Sequence, residues 1–234
     1  ANALAGADTV EFNIPGTGPH TIALTNYLPT ISEEIHFNGY TQPGSVANTQ
    51  GLYSGANSIL MIEVDGNDWG GIGGFDFIGA HNSSMRGLIL NDFSTSYAIR
   101  VRLSDNVTIA GNFIGTSPSG LGIAKGTNDG GIYVFRSDNT VIGGTAPADR
   151  NVISGGRIYG IVAEELNGLT IDGNYFGVGK DGVSVVSQGS GLDTNIFCYD
   201  CDNVSIGSAT VGNILTSEEY GIIASDSDNW TVEN

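Results

Sequence analysis

Basic side chains are scarce in this chain: Lys and Arg number 8 against 25 Asp and Glu, a formal net charge of -17 over 234 residues. A surface this acidic repels phosphate, so no nucleic-acid partner is expected and anionic membrane surfaces are poor partners. Long apolar runs are missing as well. No stretch reaches the roughly 18 consecutive apolar residues of a membrane-spanning helix, so direct insertion by that route is excluded. Charged residues make up only 14 % of the chain and Pro is limited to 6 positions. A disordered chain would carry more charge and fewer apolar residues. Cysteine occurs twice, in Phe197-Cys198-Tyr199-Asp200-Cys201. A lone C-x-x-C lacks the second pair of a zinc site and the βαβ surroundings of a redox motif. Cys198 falls at an inward strand position and Cys201 in a turn, leaving a local disulfide and two free thiols as alternatives. His20, His36 and His81 fall at different phases of the pattern described next, so no metal triad follows.

What the chain has in abundance is glycine, 36 residues, together with Asn, Asp, Ser and Thr. Many turns and short elements follow from that composition. The elements recur. A short apolar strand ends in Asn or Asp at 38, 65, 91, 112, 151, 174, 213 and 234, giving spacings of 27, 26, 21, 39, 23, 39 and 21. From Asn91 onward short and long alternate, with a double repeat of about 62 residues. Thr108-Ile109-Ala110-Gly111-Asn112-Phe113-Ile114-Gly115 aligns with Thr170-Ile171-Asp172-Gly173-Asn174-Tyr175-Phe176-Gly177. A second marker precedes these strands: Ser104-Asp105-Asn106, Ser137-Asp138-Asn139, Cys201-Asp202-Asn203 and Ser227-Asp228-Asn229. Upstream of it lies another strand set, containing Ile99, Ile132, Ile161, Ile196 and Ile222.

Units of this length with several short strands predict an all-β fold, a right-handed parallel β-helix (solenoid) of about eight coils. At ~4.8 Å per coil it would form a rod roughly 40 Å long. In such a stack Asn91, Asn112, Asn151, Asn174 and Asn213 form a structural ladder of amide hydrogen bonds. The expected organisation is one domain over 1–234, with N-terminal coils over 1–90 and alternating short and long coils over 91–234. Ala1–Gly6 reads as the tail of a helix and the C-terminus stops inside a repeat unit, so the chain is expected to be a fragment of a longer one with an incomplete N-terminal cap. An open last coil would expose strand edges, which predicts end-to-end self-association.

Gly6-Ala7-Asp8-Thr9-Val10-Glu11-Phe12-Asn13-Ile14-Pro15-Gly16-Thr17-Gly18-Pro19-His20-Thr21-Ile22 carries a family resemblance, continued by Leu28-Pro29-Thr30-Ile31, Asn38-Gly39-Tyr40-Thr41-Gln42-Pro43-Gly44, Gly111-Asn112-Phe113-Ile114-Gly115-Thr116, Ile142-Gly143-Gly144-Thr145 and Arg150-Asn151-Val152-Ile153-Ser154-Gly155. On these motifs, which span nearly the whole chain, the sequence resembles the secreted right-handed parallel β-helix repeat proteins of bacteria and archaea with a CSLREA-type N-terminal region. The resemblance implies a short helix capping the first coil, a secreted or cell-surface location, and an adhesive or structural role. The cysteine pair lies outside those motifs.

Period-2 alternation in the upstream strand set puts Arg100, Tyr133 and Phe197 in one outward row. Arg102, Phe135, Glu164 and Tyr199 form the next row. Arg, aromatic and Glu side chains on a flat face suit stacking on sugar rings and hydrogen bonding to hydroxyls, which makes these the candidate carbohydrate-binding residues. The plainer reading is cross-strand packing along a sheet. Asp105, Asp138, Asp202 and Asp228 stack like charges at one corner and are the candidate Ca²⁺ ligands, the alternative being a solvated corner. No catalytic residue is assigned: the Asn-Thr-Asp, Asp-Asp, Gly-His-Gly and Arg-Ile-Lys motifs of polygalacturonase-like enzymes do not occur. The expected function is an extracellular or cell-surface structural or adhesive scaffold, with a polysaccharide or surface-protein partner. The alternative is a polysaccharide lyase or glycoside hydrolase acting across the face formed by Arg102, Phe135, Glu164 and Tyr199.

Overall fold

Ile99 and Val101 are fully buried, while Arg100 and Arg102 reach solvent. This is the alternation of a strand with one face on a core. The computed structural model describes residues 6–67, 73–93, 96–124, 128–186 and 193–233. The helix tail expected at Ala1–Ala5, the marker Asn234 and the basic residue Lys125 lie outside the described residues. Nineteen strands are described. The first seven are β1 (Asp8–Glu11), β2 (His20–Ala23), β3 (Ile35–Asn38), β4 (Ile62–Asp65), β5 (Phe75–Ile78), β6 (Ser84–Arg86) and β7 (Ile89–Asn91). Then follow β8 (Tyr97–Arg102), β9 (Thr108–Ala110), β10 (Phe113–Ile114), β11 (Asn128–Phe135), β12 (Thr140–Gly143) and β13 (Val152–Ile153). The last six are β14 (Gly156–Asp172), β15 (Tyr175–Phe176), β16 (Thr194–Ile206), β17 (Ile214–Leu215), β18 (Tyr220–Ser225) and β19 (Thr231–Val232).

These strands build two sheets whose strand pairs are parallel. A 12-stranded sheet runs β1-β3-β6-β9-β12-β14-β11-β8-β5, with β16 also on β14, and β18 and β19 on β16. A 7-stranded sheet runs β17-β15-β13-β10-β7-β4-β2. The architecture corrects the expected fold. It is a curled, half-barrel sheet of 12 strands with a second sheet of 7, and not a right-handed parallel β-helix or repeat solenoid of about eight coils.

The reason lies in the Asp-Asn corners, which the repeat reads as breaks between separate strand sets. In β14 the backbone turns at Glu165 (φ 52°) and Gly168 (φ 83°) without leaving the sheet. Its first part pairs with β11 and its last part with β12. β16 keeps the same register with β14 across the corner, Leu166 opposite Cys201 and Asn167 opposite Asp202. Hydrogen bonding therefore continues through the bend, and two strand sets become one curled sheet. Asn stands at the equivalent corner of other strands, where β14 has Gly168. Asn82, Asn106, Asn139, Asn203 and Asn229 all adopt left-handed φ between 53° and 60°, a conformation Asn tolerates better than most residues.

Two apolar clusters follow from the two sheets. The larger is lined by Phe77, Met85, Leu90, Ile99, Ile109, Ile132, Ile171 and Ile206, all nearly inaccessible. The smaller lies against Ile89, Phe113, Val152 and Tyr175 of the 7-stranded sheet. Its cover is the segment 39–61, pinned from below by Arg150, which is only 5 % exposed. The Arg150 guanidinium donates to the carbonyls of Gln50, Gly55 and Gly173 and lies 4.6 Å from the Tyr175 ring centre. Burial lowers its pKa from the usual guanidinium value. The Tyr175 hydroxyl donates to the Leu52 carbonyl, and Lys180 Nζ to that of Ser58 (3.1 Å).

Candidate functional site

The candidate face is the outer surface of the 12-stranded sheet where β5, β8, β11, β14, β16 and β18 lie side by side. Register places Asp76, Arg100, Tyr133, Val162, Phe197 and Ile223 in one row. Ile78, Arg102, Phe135, Glu164, Tyr199 and Ser225 make the next. The inward residues between them, Ile99, Val101, Ile132, Val134 and Ile196, are fully buried and hold the outward ones in place.

At one end the face is charged. Asp76, 8 % exposed, accepts from Arg102 through Nε (3.0 Å) and Nη2 (2.5 Å), and from Arg100 Nη2 (3.2 Å). The bidentate bond to Asp76 is the main cause that holds the Arg102 pKa above its usual value. Arg100 Nε is buried without a partner. Two guanidinium groups around one carboxylate leave a local excess of positive charge. In the middle the face is aromatic. Tyr97 and Tyr133 stack at 5.2 Å, and Tyr133 and Phe135 at 6.2 Å with nearly parallel rings. Tyr159 and Phe197 approach to 5.7 Å on the next pair of strands. Arg136 lies 4.8 Å over the Phe135 ring and pairs with Glu165 at the adjoining corner. The Tyr133 hydroxyl donates to Glu164 Oε2 at 2.7 Å. Burial, followed by that bond to a carboxylate, pushes its pKa well above the usual phenol range. Toward the far end Tyr199 and Tyr220 stand 45 % and 54 % exposed.

The seven residues proposed from the sequence, Arg100, Arg102, Tyr133, Phe135, Glu164, Phe197 and Tyr199, thus share one face. Asp76 and Tyr97 belong with them and are absent from the sequence reading. Phe75-Asp76-Phe77 is an alternating triplet one strand before Arg100. Extending the rows by one strand would have reached it. Tyr97 sits one position outside the period-2 row and joins it because its long ring leans over Gly130, where a Cβ would lie only 2.2 Å from it.

Two carboxylates of this face are widely separated. Asp76 and Glu164 stand three strands and two residues apart, ~16 Å at ~4.8 Å per strand and ~3.3 Å per residue. Hydrolases of the two-carboxylate kind need about 5–9.5 Å. Tyr133 and Arg102 are both shifted toward their protonated forms, whereas the base of a lyase must be free to accept a proton.

The other sequence-derived candidates lie elsewhere. Asn112, Asn151, Asn174 and Asn213 form a ladder in which each Nδ2 donates to the next Oδ1, at 3.2, 2.9 and 3.1 Å. Asn91 stands apart, donating to Glu63 and to the Thr116 carbonyl. At the corner, Asp105 accepts from the Asp138 N–H, Asp138 from that of Asn167, and Asp202 from that of Asp228 (2.8–2.9 Å). These carboxylates link neighbouring strands. Among the described residues no three His, Cys, Asp or Glu side chains come together as a metal site. Cys198 and Cys201 are buried free thiols. Cys201 takes the corner place that Ser104, Ser137 and Ser227 fill in other strands, and its thiol donates to the carbonyl two residues earlier, that of Tyr199 (3.5 Å), as those serine hydroxyls do, and also to the Ala163 carbonyl (3.3 Å). Cys198 takes an inward position opposite Ala163 and Ala224. Its hydrogen bond with Cys201, reinforced by burial, pushes its pKa far above the usual thiol range.

Comparison of the chain with protein-family models, curated proteins and solved structures finds no match.

Proposed function

We propose that this chain is a structural scaffold whose curled sheet presents a polysaccharide-binding face, with binding rather than turnover as its chemistry. The observation that carries the reading is the juxtaposition of the Tyr97–Tyr133–Phe135 file with the Asp76–Arg100–Arg102 cluster on one surface. Aromatic groups offer apolar area to sugar rings, and fixed guanidinium groups offer donors to hydroxyls and uronate carboxylates. Charge distribution supports it. Arg100, Arg102 and Arg136, three of the chain's 8 basic residues, cluster here and balance Asp76, Glu164 and Glu165. The face thus escapes the acidity that would repel an anionic glycan from the rest of the molecule.

A glycan array on the purified protein tests this, read together with the ultraviolet absorbance of unsaturated uronates after incubation with polyuronates. Retention of a glycan that weakens roughly three- to tenfold in Tyr133→Ala and in Phe135→Ala, and is unchanged in Val183→Ser on the exposed loop after β15, is the expected result. Unsaturated products that vanish in Arg102→Ala would replace binding by lyase chemistry. Retention indifferent to both aromatic substitutions would remove this face from the reading.

A further inference from the structure

Across the Asp-Asn corner from the aromatic face, the outward row of the 12-stranded sheet is rich in hydroxyls. Register sets Thr9, His36, Ser84 and Thr108 side by side on β1, β3, β6 and β9. His36 breaks the file of hydroxyls with an imidazole, and it has a partner on each ring nitrogen. Nε2 lies 3.1 Å from Glu34 Oε1, and Nδ1 lies 2.9 Å from Ser84 Oγ.

The carboxylate can only accept, so it fixes the proton of the neutral ring on Nε2. Nδ1 keeps its lone pair, and the Ser84 hydroxyl donates to it. A hydroxyl bonded to an oriented base is an activated nucleophile. The order carboxylate, imidazole, hydroxyl is that of the serine hydrolases, with the two ring nitrogens exchanged. Strand alternation builds it: Glu34 and His36 are two positions apart and point to the same side, and β3 sets His36 against Ser84 of β6. The Glu34 and His36 side chains are each 36 % exposed and Ser84 is half-buried, so a substrate reaches the hydroxyl from solvent. On the other side of Ser84, one strand or ~4.8 Å away, stands the Thr108 hydroxyl. It is a donor for the oxygen of a tetrahedral adduct.

We propose that Ser84 is a nucleophile that takes the acyl group of a short-chain carboxylic ester, with His36 as its general base and Glu34 as a positioning residue. Ser84 Oγ bonds to the ester carbonyl carbon while its proton passes to His36 Nδ1. The bond from that carbon to the alcohol oxygen then breaks, and the proton leaves with the alcohol. Water, deprotonated by the same nitrogen, attacks the acyl-serine, which releases the carboxylic acid and restores the hydroxyl. An open sheet face suits a short acyl group carried on a bulky alcohol. The site stands on β3, β6 and β9, apart from the aromatic face on β8, β11 and β14, and does not depend on glycan binding there.

Labelling of the purified protein with a fluorophosphonate, followed by peptide mass mapping, tests the assignment, with para-nitrophenyl acetate hydrolysis read alongside. Ser205 is the internal comparison: it stands in the same row between Thr170 and Thr231, with no imidazole beside it. Ser84 should be labelled about 100-fold faster than Ser205. Ester hydrolysis should be lost in Ser84→Ala and kept in Ser205→Ala. His36→Gln should slow labelling about 100-fold. Glu34→Gln should lower the maximal labelling rate about tenfold at an unchanged half-saturating concentration, and Glu34→Asp should restore part of it. Equal labelling of Ser84 and Ser205 in the unaltered protein, or hydrolysis undiminished in Ser84→Ala, would overturn the proposal. The comparison of the two serines needs no variant, so it holds whether or not a substitution disturbs folding.

Discussion

Replacing Asn151 by Ala interrupts the amide ladder at its centre, where the structure allows the loss to be worked out. Asn151 is fully buried. Its Oδ1 is the acceptor for the backbone N–H of Asn112 (2.9 Å) and for Asn112 Nδ2 (3.2 Å). Its Nδ2 donates to the Ile109 carbonyl (2.8 Å) and to Asn174 Oδ1 (2.9 Å). Asn112 Nδ2 retains the Met85 and Ala110 carbonyls, but its backbone N–H is left buried and unpaired, which costs about 1–3 kcal/mol. The two bonds donated by Asn151 contribute about 1 kcal/mol each. Ala orders no side chain on folding, which returns up to roughly 1 kcal/mol. The net loss is therefore about 3 kcal/mol. At ~2–4 °C per kcal/mol for a chain of this size, calorimetry should find Tm lowered by roughly 6–12 °C. Asn213→Ala, at the half-buried end of the ladder, removes the same kinds of bond where water can replace them and should cost about 1 kcal/mol. Asn151→Asp keeps the shape but turns a carboxyl oxygen toward two acceptors. The introduced group must stay protonated, so its folded pKa is raised. Its destabilisation is then full above the raised folded pKa, shrinks as pH falls below that, and is gone below the unfolded value of ~3.9. A loss below about 1 kcal/mol for Asn151→Ala, or one equal to that of Asn213→Ala, would refute the reasoning.

Alkaline unfolding should carry a tyrosine signature. Burial pushes the Tyr40 pKa up to about 12 against an ordinary 10.0, with Arg86 opposing and Asp149 reinforcing the shift. The folded state thus keeps a proton that the unfolded state loses. Stability falls as pH rises from 10 to 12, by about 1.4 kcal/mol per pH unit for this group, and Tyr40→Phe should flatten part of that slope in urea melts followed across the range. A slope unchanged in Tyr40→Phe would contradict the assignment. Both thiols should be inert to an aromatic disulfide reagent in the native protein and react fully in denaturant, because Cys198 is buried with its pKa raised and Cys201 is equally inaccessible. Only partial reaction in denaturant would instead reveal a disulfide.

The outward face was legible because strand alternation is local. Given Ile99 and Val101 inward, Arg100 and Arg102 had to point out. Equivalent positions in later strands could be aligned by their Ile and by the following Asp-Asn marker. Asp76 escaped because no such marker follows β5: Ile78 leads into Gly79-Ala80-His81-Asn82. The pairing of Ser84 with His36 escaped for a different reason. The two are separated by 48 positions and look like ordinary polar residues of short strands. Only the register of β3 and β6 brings the hydroxyl and the imidazole together. Arg150 is a similar case, since its partners Gln50 and Gly55 lie 100 and 95 positions away.

Composition and spacing alone established an all-β chain of short strands, its acidic character, the outward rows and the polar corners, since each rests on local preference or simple counting. Whether those corners separate sheets or bend a single one was settled by the tertiary structure. The same Asp-Asn dipeptide serves either outcome, and only hydrogen bonding from strand to strand decides between them. In β14 and β16 that bonding runs on through the bend, and so the strand sets that spacing had kept apart close into one curled sheet.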